Sequence, residues 1–166
     1  FTLNSAASQL RRGTAVRSVG LVVGDLANPF YMGLATGVEH ALRDHGLQLS
    51  MASSDEDATI ERTLVEELVH RRAHGILLVS TLDDHAELRG VVDRGVPLVL
   101  VDRAPAGIGL DAVVIDNVGG ATAAMAGFLA RGHRRIAFVG DLARLSPQRE
   151  RHAAYAAALA ASGIAL

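Results

Sequence analysis

An α/β fold with a parallel, doubly wound sheet is predicted by three observations. Short apolar runs alternate with helical patterns along the chain, the rhythm of a parallel sheet with helices on both faces. Five glycines, Gly46, Gly75, Gly95, Gly132 and Gly163, each stand between a helical pattern and an apolar stretch. That is a left-handed helix stop repeated once per step. Finally, the stretch VGLVVGDLANPFY, residues 19–31, runs from a buried strand straight into a helix start.

The elements follow in order. Val19–Val23 is an apolar run of the kind covered on both faces. Asn28 offers a capping oxygen and Pro29 a first helical residue with fixed φ, so a helix is expected over Pro29–His45. Leu47–Met51 alternates as a second strand. Asp57–Arg72 is helical, with Ile60, Leu64, Leu68 and Val69 on one side. Ile76–Val79 is the third strand. Asp83 or Asp84 caps a helix ending at Arg94, and Leu98–Val101 is the fourth strand. Ala112–Ile115 reads as a fifth, and Asp116 or Asn117 caps a helix to Arg131. Ile136–Val139 reads as a further strand. Ser146-Pro147 opens a final Ala-rich helix. The first residues, Phe1–Arg12, read as a short helix that alone would barely hold together in water.

Composition narrows the function. The chain has 166 residues, 49% hydrophobic and 20% charged, enough to bury a core. A net charge of −2 argues against bulk nucleic-acid binding by the chain as a whole. The absence of Cys excludes disulfides, thiolate metal sites and thiol nucleophiles, which fits a cytoplasmic setting. No apolar run approaches a membrane span. No G-x-S-x-G elbow, phosphate loop or G-x-G-x-x-G follows the first strand, so no enzyme and no cofactor is expected.

Binding residues are sought at the carboxyl edge of the strands, where open α/β sheets take ligands. Phe30 and Tyr31 open the first helix there, and the chain has only four Phe and two Tyr. Flat rings suit sugars or bases; the plain alternative is core packing. Asp102-Arg103 follows the fourth strand, as contacts to the hydroxyls of a small ligand or as a structural ion pair. Arg149 and Arg151 lie in the first turns of the last helix, against its dipole, which suggests an anionic or hydroxylated partner or else a solvated surface. Glu66, His70 and His74 are spaced four apart, but a solvated helix face explains them better than a metal site.

The chain resembles the core of lactose-repressor-type (LacI/GalR) transcriptional regulators. The segments carrying this are VGLVVGDLANPFYMGLATGVEHALRDHG, HGILLVS, GVPLVLVDR, VVIDNVGGA, GHRRIAFVG and RERHAAYAAAL, in the family's order and spacing. The resemblance implies a two-lobed core like that of periplasmic sugar-binding proteins. It implies a hinge helix and linker at 1–13, a first lobe at 18–132, and the first αβ unit of a second lobe at 133–166. Such a unit, standing nearly alone, is expected to fold back on the first lobe, pair with another copy or be disordered. Phe30, Tyr31, Asp102, Arg103 and Arg151 then become effector-binding candidates, for a sugar or related metabolite. Asn4, Ala7 and Leu10 match the hinge helix, with Leu10 the minor-groove wedge; Leu3 stands where the family usually has Pro. The implied partners are a small effector, operator DNA through a head outside this chain, and a second copy in a homodimer, with Leu49 and Met51 as contacts. A sugar-binding protein of a transporter shares the fold and is the alternative.

Overall fold

The computed structural model describes residues 17–140 and 145–166. Its centre is a five-stranded sheet: β1 (Ser18–Val23), β2 (Gln48–Ser53), β3 (Gly75–Leu78), β4 (Leu98–Val101) and β5 (Asp111–Val113). The spatial order is β2-β1-β3-β4-β5 and every pair is parallel. The chain reverses its direction of travel between β1 and β3. This topological switch point opens a crevice beyond the carboxyl ends of those two strands.

The helices are α1 (Pro29–Arg43), α2 (Ala58–His70), a 3₁₀ turn at Ala86–Leu88 running into the short α3 (Arg89–Val92), α4 (Asn117–Ala130) and α5 (Ser146–Ala161). Period-two alternation splits the sheet into two apolar layers. Val22, Ile76, Leu78, Leu98 and Leu100 pack beneath α2 and α3, meeting Val65, Leu88 and Val91. Leu21, Val23, Val79 and Val101 form the other face with Tyr31 and Ala35 of α1. Leu49 and Met51 pack against this second cluster while staying partly exposed.

Several expectations are corrected. Gly46, Gly95, Gly132 and Gly163 do hold positive φ, but Gly75 does not; it begins β3, and Arg72 takes the left-handed turn at φ 57°. The helix expected up to Arg94 is only the 3₁₀ turn and α3, because Gly90 and the β-branched pair Val91-Val92 give a long helix little support. Ile136–Val139 is not a strand: no described neighbour completes a ladder, and Val139 is 94% exposed. The rest of that segment still finds apolar cover. Met125 of α4 clusters with Tyr155 and Leu159 of α5, and Ile136 and Phe138 pack against them. Thus α5 packs on α4, with Tyr155 Oη donating to the Ile136 carbonyl at 2.8 Å. Asn4, Ala7 and Leu10 lie outside the described residues. Among the described residues no helix is long and apolar enough to cross a membrane.

Candidate functional site

A cleft of about 480 Å³ lies at the carboxyl edge of the sheet. It is lined by the turn after β1, the start of α1, the ends of β2 and β4, and the first turn of α5. Phe30, Tyr31, Asp102, Arg103 and Arg151 all border it, so the structure brings together the five residues singled out as binding candidates. Asp25, Asn28, Glu56, Leu145 and Gln148 complete most of the wall.

The β1–α1 turn explains how the aromatics arrive there. Asp25 accepts from Ala27 N–H at 2.7 Å, and Asn28 caps α1 by accepting from Phe30 N–H at 3.0 Å. The capped start throws Phe30 outward, 42% exposed, and turns Tyr31 inward, 4% exposed. Tyr31 therefore belongs to the core and also borders the cleft. Its ring belongs to the core, edge-on to Phe30 with centroids 5.3 Å apart, while its hydroxyl reaches the cleft floor. There the hydroxyl accepts from Arg103 Nη2 at 3.5 Å. Burial, partly offset by the positive charge of Arg103, pushes the Tyr31 pKa up and keeps it a neutral donor.

Arg103 is an interior residue, 4% exposed. Its guanidinium makes a bidentate pair with Glu56, at 2.6 and 3.0 Å, and donates to the Ser80 carbonyl at 2.5 Å. Burial works against its charge, but the hydrogen bonds and charge of Glu56 prevail and raise its pKa. Behind it, the fully buried Glu61 of α2 accepts from Ser80 Oγ at 2.7 Å and from Thr81 N–H at 2.5 Å. A continuous polar chain thus runs Glu61–Ser80–Arg103–Glu56, and it fixes the cleft floor. Asp55 and Glu56 turn the chain with two successive left-handed residues, φ 51° and 57°, to deliver the Glu56 carboxylate.

Asp102 presents its carboxylate from a left-handed backbone, φ 68°. Its pKa is raised, chiefly by burial, with the charges of Arg103 and Arg151 pulling the other way. Arg151 approaches from α5, and its Nε donates to Asn117 Oδ1 at 2.8 Å. Arg149, the other cation of that helix start, pairs with Asp83 at 3.1 Å. A hydroxyl donor, a carboxylate and a guanidinium therefore face one cleft beside an exposed aromatic ring. That set can grip vicinal hydroxyls and stack on the apolar face of a ring. Among the described residues no three His, Cys, Asp or Glu are placed to hold a metal. His70 instead bonds the Glu66 carbonyl, and His74 accepts from Arg17 Nε.

Comparisons with known proteins identify the family. The profile for periplasmic binding proteins and the sugar-binding domain of the LacI family matches residues 16–166. The chain belongs to this family. Among its LacI-type relatives, the transcriptional regulator PtxS of Pseudomonas plecoglossicida is 35% identical over 158 residues, covering 95% of this chain and 46% of that protein. The crystal structure of a putative ribose operon repressor from Burkholderia thailandensis superposes with a TM-score of 0.82 at 35% identity, over 90% of this chain and 57% of that one. The Cra regulator of Pseudomonas putida, solved in complex with fructose 1-phosphate, gives 0.82 at 29% identity, over 87% and 54%. The chain spans about half the length of the curated relatives it matches.

Sequence reasoning missed Glu56, Glu61 and Asn117 as parts of the site. Glu56 and Arg103 are 47 residues apart, and no local spacing announces such a pair. Asn117 was visible only as a possible cap, which in the structure is Asp116, accepting from Gly119 N–H at 2.7 Å.

Proposed function

We propose that this chain is the effector-binding core of a DNA-binding transcriptional regulator and that the cleft takes a sugar or related polyhydroxylated metabolite. The observation that carries the reading is the convergence of Tyr31, Asp102 and Arg151 on one cleft at the switch point of the sheet. Asp102 and Arg151 are its principal ligand contacts, and Phe30 is the stacking face. Arg103 orients Tyr31 and supports Asp102 from behind. The protein works without catalysis and without a cofactor: the effector biases the relative position of two lobes, and that position sets operator affinity. Its setting is the cytoplasm, with the operator.

The packing of α4 on α5 supports a lobe boundary at the crossover near Ile115, ahead of α4, in place of one at Gly132. The cleft then lies between lobes, and Arg151 reaches it from the second. The functional unit is a homodimer, with Leu49 and Met51 at or near the first-lobe contact. Asn4, Ala7 and Leu10 are the hinge contacts to DNA. A transporter-type sugar-binding protein would use the same cleft; the regulator names of relatives at 35% and 32% identity favour the operator-binding reading.

The test is operator affinity of the full-length protein, measured by fluorescence anisotropy with and without a panel of monosaccharides, disaccharides and sugar phosphates. A compound that shifts operator affinity severalfold in the wild type, and fails to do so in Asp102→Ala, supports the proposal. Sugar binding with no operator affinity in any condition favours the transporter-type alternative.

A further inference from the structure

Asn117 stands at the first position of α4, yet its side chain does not serve that helix. Asp116 takes the capping bond, which leaves the Asn117 amide to other partners. The residue is 5% exposed, and both ends of its amide are engaged. Nδ2 donates to Glu150 Oε2 at 2.9 Å and to the Ile115 carbonyl at 3.3 Å. Oδ1 accepts from Arg151 Nε at 2.8 Å. One neutral amide thus joins the crossover from the sheet to two consecutive residues of α5. Few side chains could do this. The site needs a donor toward a carboxylate and an acceptor toward a guanidinium at one short reach, which the Asn amide supplies without added charge.

Arg151 itself is exposed and borders the cleft. A guanidinium on a long stem in water samples many rotamers, and ordering it on binding costs free energy. Tying Nε to a buried amide fixes the plane of the fork and leaves its Nη edge for a ligand.

We propose that Asn117 is the positioning residue for Arg151, aiming its guanidinium into the cleft and coupling it to the crossover through the Ile115 carbonyl. The proposal rests on the reading above that Arg151 meets the effector. Asn117 touches no ligand; it acts through Arg151.

The experiment uses the full-length protein and the variants Asn117→Ala, Asn117→Asp/Glu150→Gln, Arg151→Gln and Asn117→Ala/Arg151→Gln. The first readout needs no ligand. In ¹⁵N side-chain spectra the Arg151 Nε–H signal, assigned by its loss in Arg151→Gln, should resist solvent exchange in the wild type. It should lose that protection in Asn117→Ala while the backbone spectrum stays dispersed. Asn117→Asp keeps the acceptor toward Arg151 but sets a second carboxylate against Glu150, so it is made together with Glu150→Gln, and that combination should keep the protected signal. The second readout is calorimetry with D-ribose, D-fructose, sucrose and fructose 1-phosphate as probes. A probe that binds the wild type should bind Asn117→Ala about tenfold more weakly, as expected for one lost charge-assisted hydrogen bond. In the Arg151→Gln background the same change should cost nothing further. An unchanged Arg151 signal in Asn117→Ala overturns the proposal. So does loss of the signal in both Asn117→Ala and Asn117→Asp/Glu150→Gln, which marks general loosening, and so do affinity losses that simply add in Asn117→Ala/Arg151→Gln. If the wild type binds no probe, the choice of sugar class is at fault, and the Arg151 signal still decides the positioning role.

Discussion

Arg103 and Glu56 form a two-bond ion pair across the carboxyl edge of the sheet, 2.6 and 3.0 Å long and 47 residues apart in sequence. Both side chains are largely shielded from water, so the pair is held by geometry and by further bonds, and weakly screened by salt. Removing one partner leaves a buried charge. Glu56→Gln should therefore destabilise the protein by about 3 kcal/mol, whereas Glu56→Gln combined with Arg103→Met should lose less than Glu56→Gln alone. Urea denaturation of the three proteins checks this; a double variant no better than the single would mean the pair is not energetically coupled.

Gly24 exists for the same pair. A Cβ at this position would meet Glu56 Oε1 at 1.9 Å. The carboxylate is pinned by Arg103 and cannot swing away at no cost. Gly24→Ala should cost about 1–3 kcal/mol, and much less in a Glu56→Ala background. Thermal denaturation of both reads the difference.

The ionised carboxylate of Asp102 lowers the stability of the fold. Its folded-state pKa lies above the ordinary value of 3.8, because burial disfavours the carboxylate. The folded protein holds the proton more tightly than the unfolded chain, so ionising Asp102 costs folding free energy. That cost is absent below pH 3.8, sets in as pH rises through the unfolded value, and is complete above the raised folded value. Asp102→Asn removes it, and Asn also tolerates the left-handed backbone at φ 68°. The variant should be more stable than wild type at pH 7, with the advantage shrinking as pH falls through the carboxylate range. Denaturation curves at a series of pH values test this; a variant less stable than wild type at pH 7 contradicts it.

Tyr31→Phe deletes the hydroxyl that meets Arg103 at the cleft and keeps the ring in the α1 core cluster. Fold stability should change by no more than about 1 kcal/mol. Effector affinity should fall about tenfold, as calorimetry would show.

The sequence announced the sheet because each central strand is a short apolar run: Leu21–Val23, Ile76–Val79 and Leu98–Val101 are covered on both faces. It announced the aromatics because Asn28 and Pro29 fix where α1 begins. Illegible elements are those decided by a distant neighbour. Ile136–Val139 has the composition of a strand, yet a strand also needs a ladder partner, and none is present among the described residues. Gly75 looks like a helix stop, but Arg72 bears the left-handed turn three residues earlier. The floor of the cleft was illegible for the same reason. Glu56 and Glu61 share the β2–α2 stretch while Ser80 follows β3 and Arg103 follows β4, and only the parallel topology brings these three segments side by side.

The measurement that tests the account most directly is calorimetric titration of the full-length protein with a sugar and sugar-phosphate panel, repeated on Asp102→Ala, Arg151→Gln and Met32→Ala. Met32 is exposed on α1 and does not border the cleft. At least one compound should bind the wild type and Met32→Ala alike, and bind the two cleft variants at least tenfold more weakly. Undiminished affinity in both Asp102→Ala and Arg151→Gln would contradict the placement of the effector in this cleft.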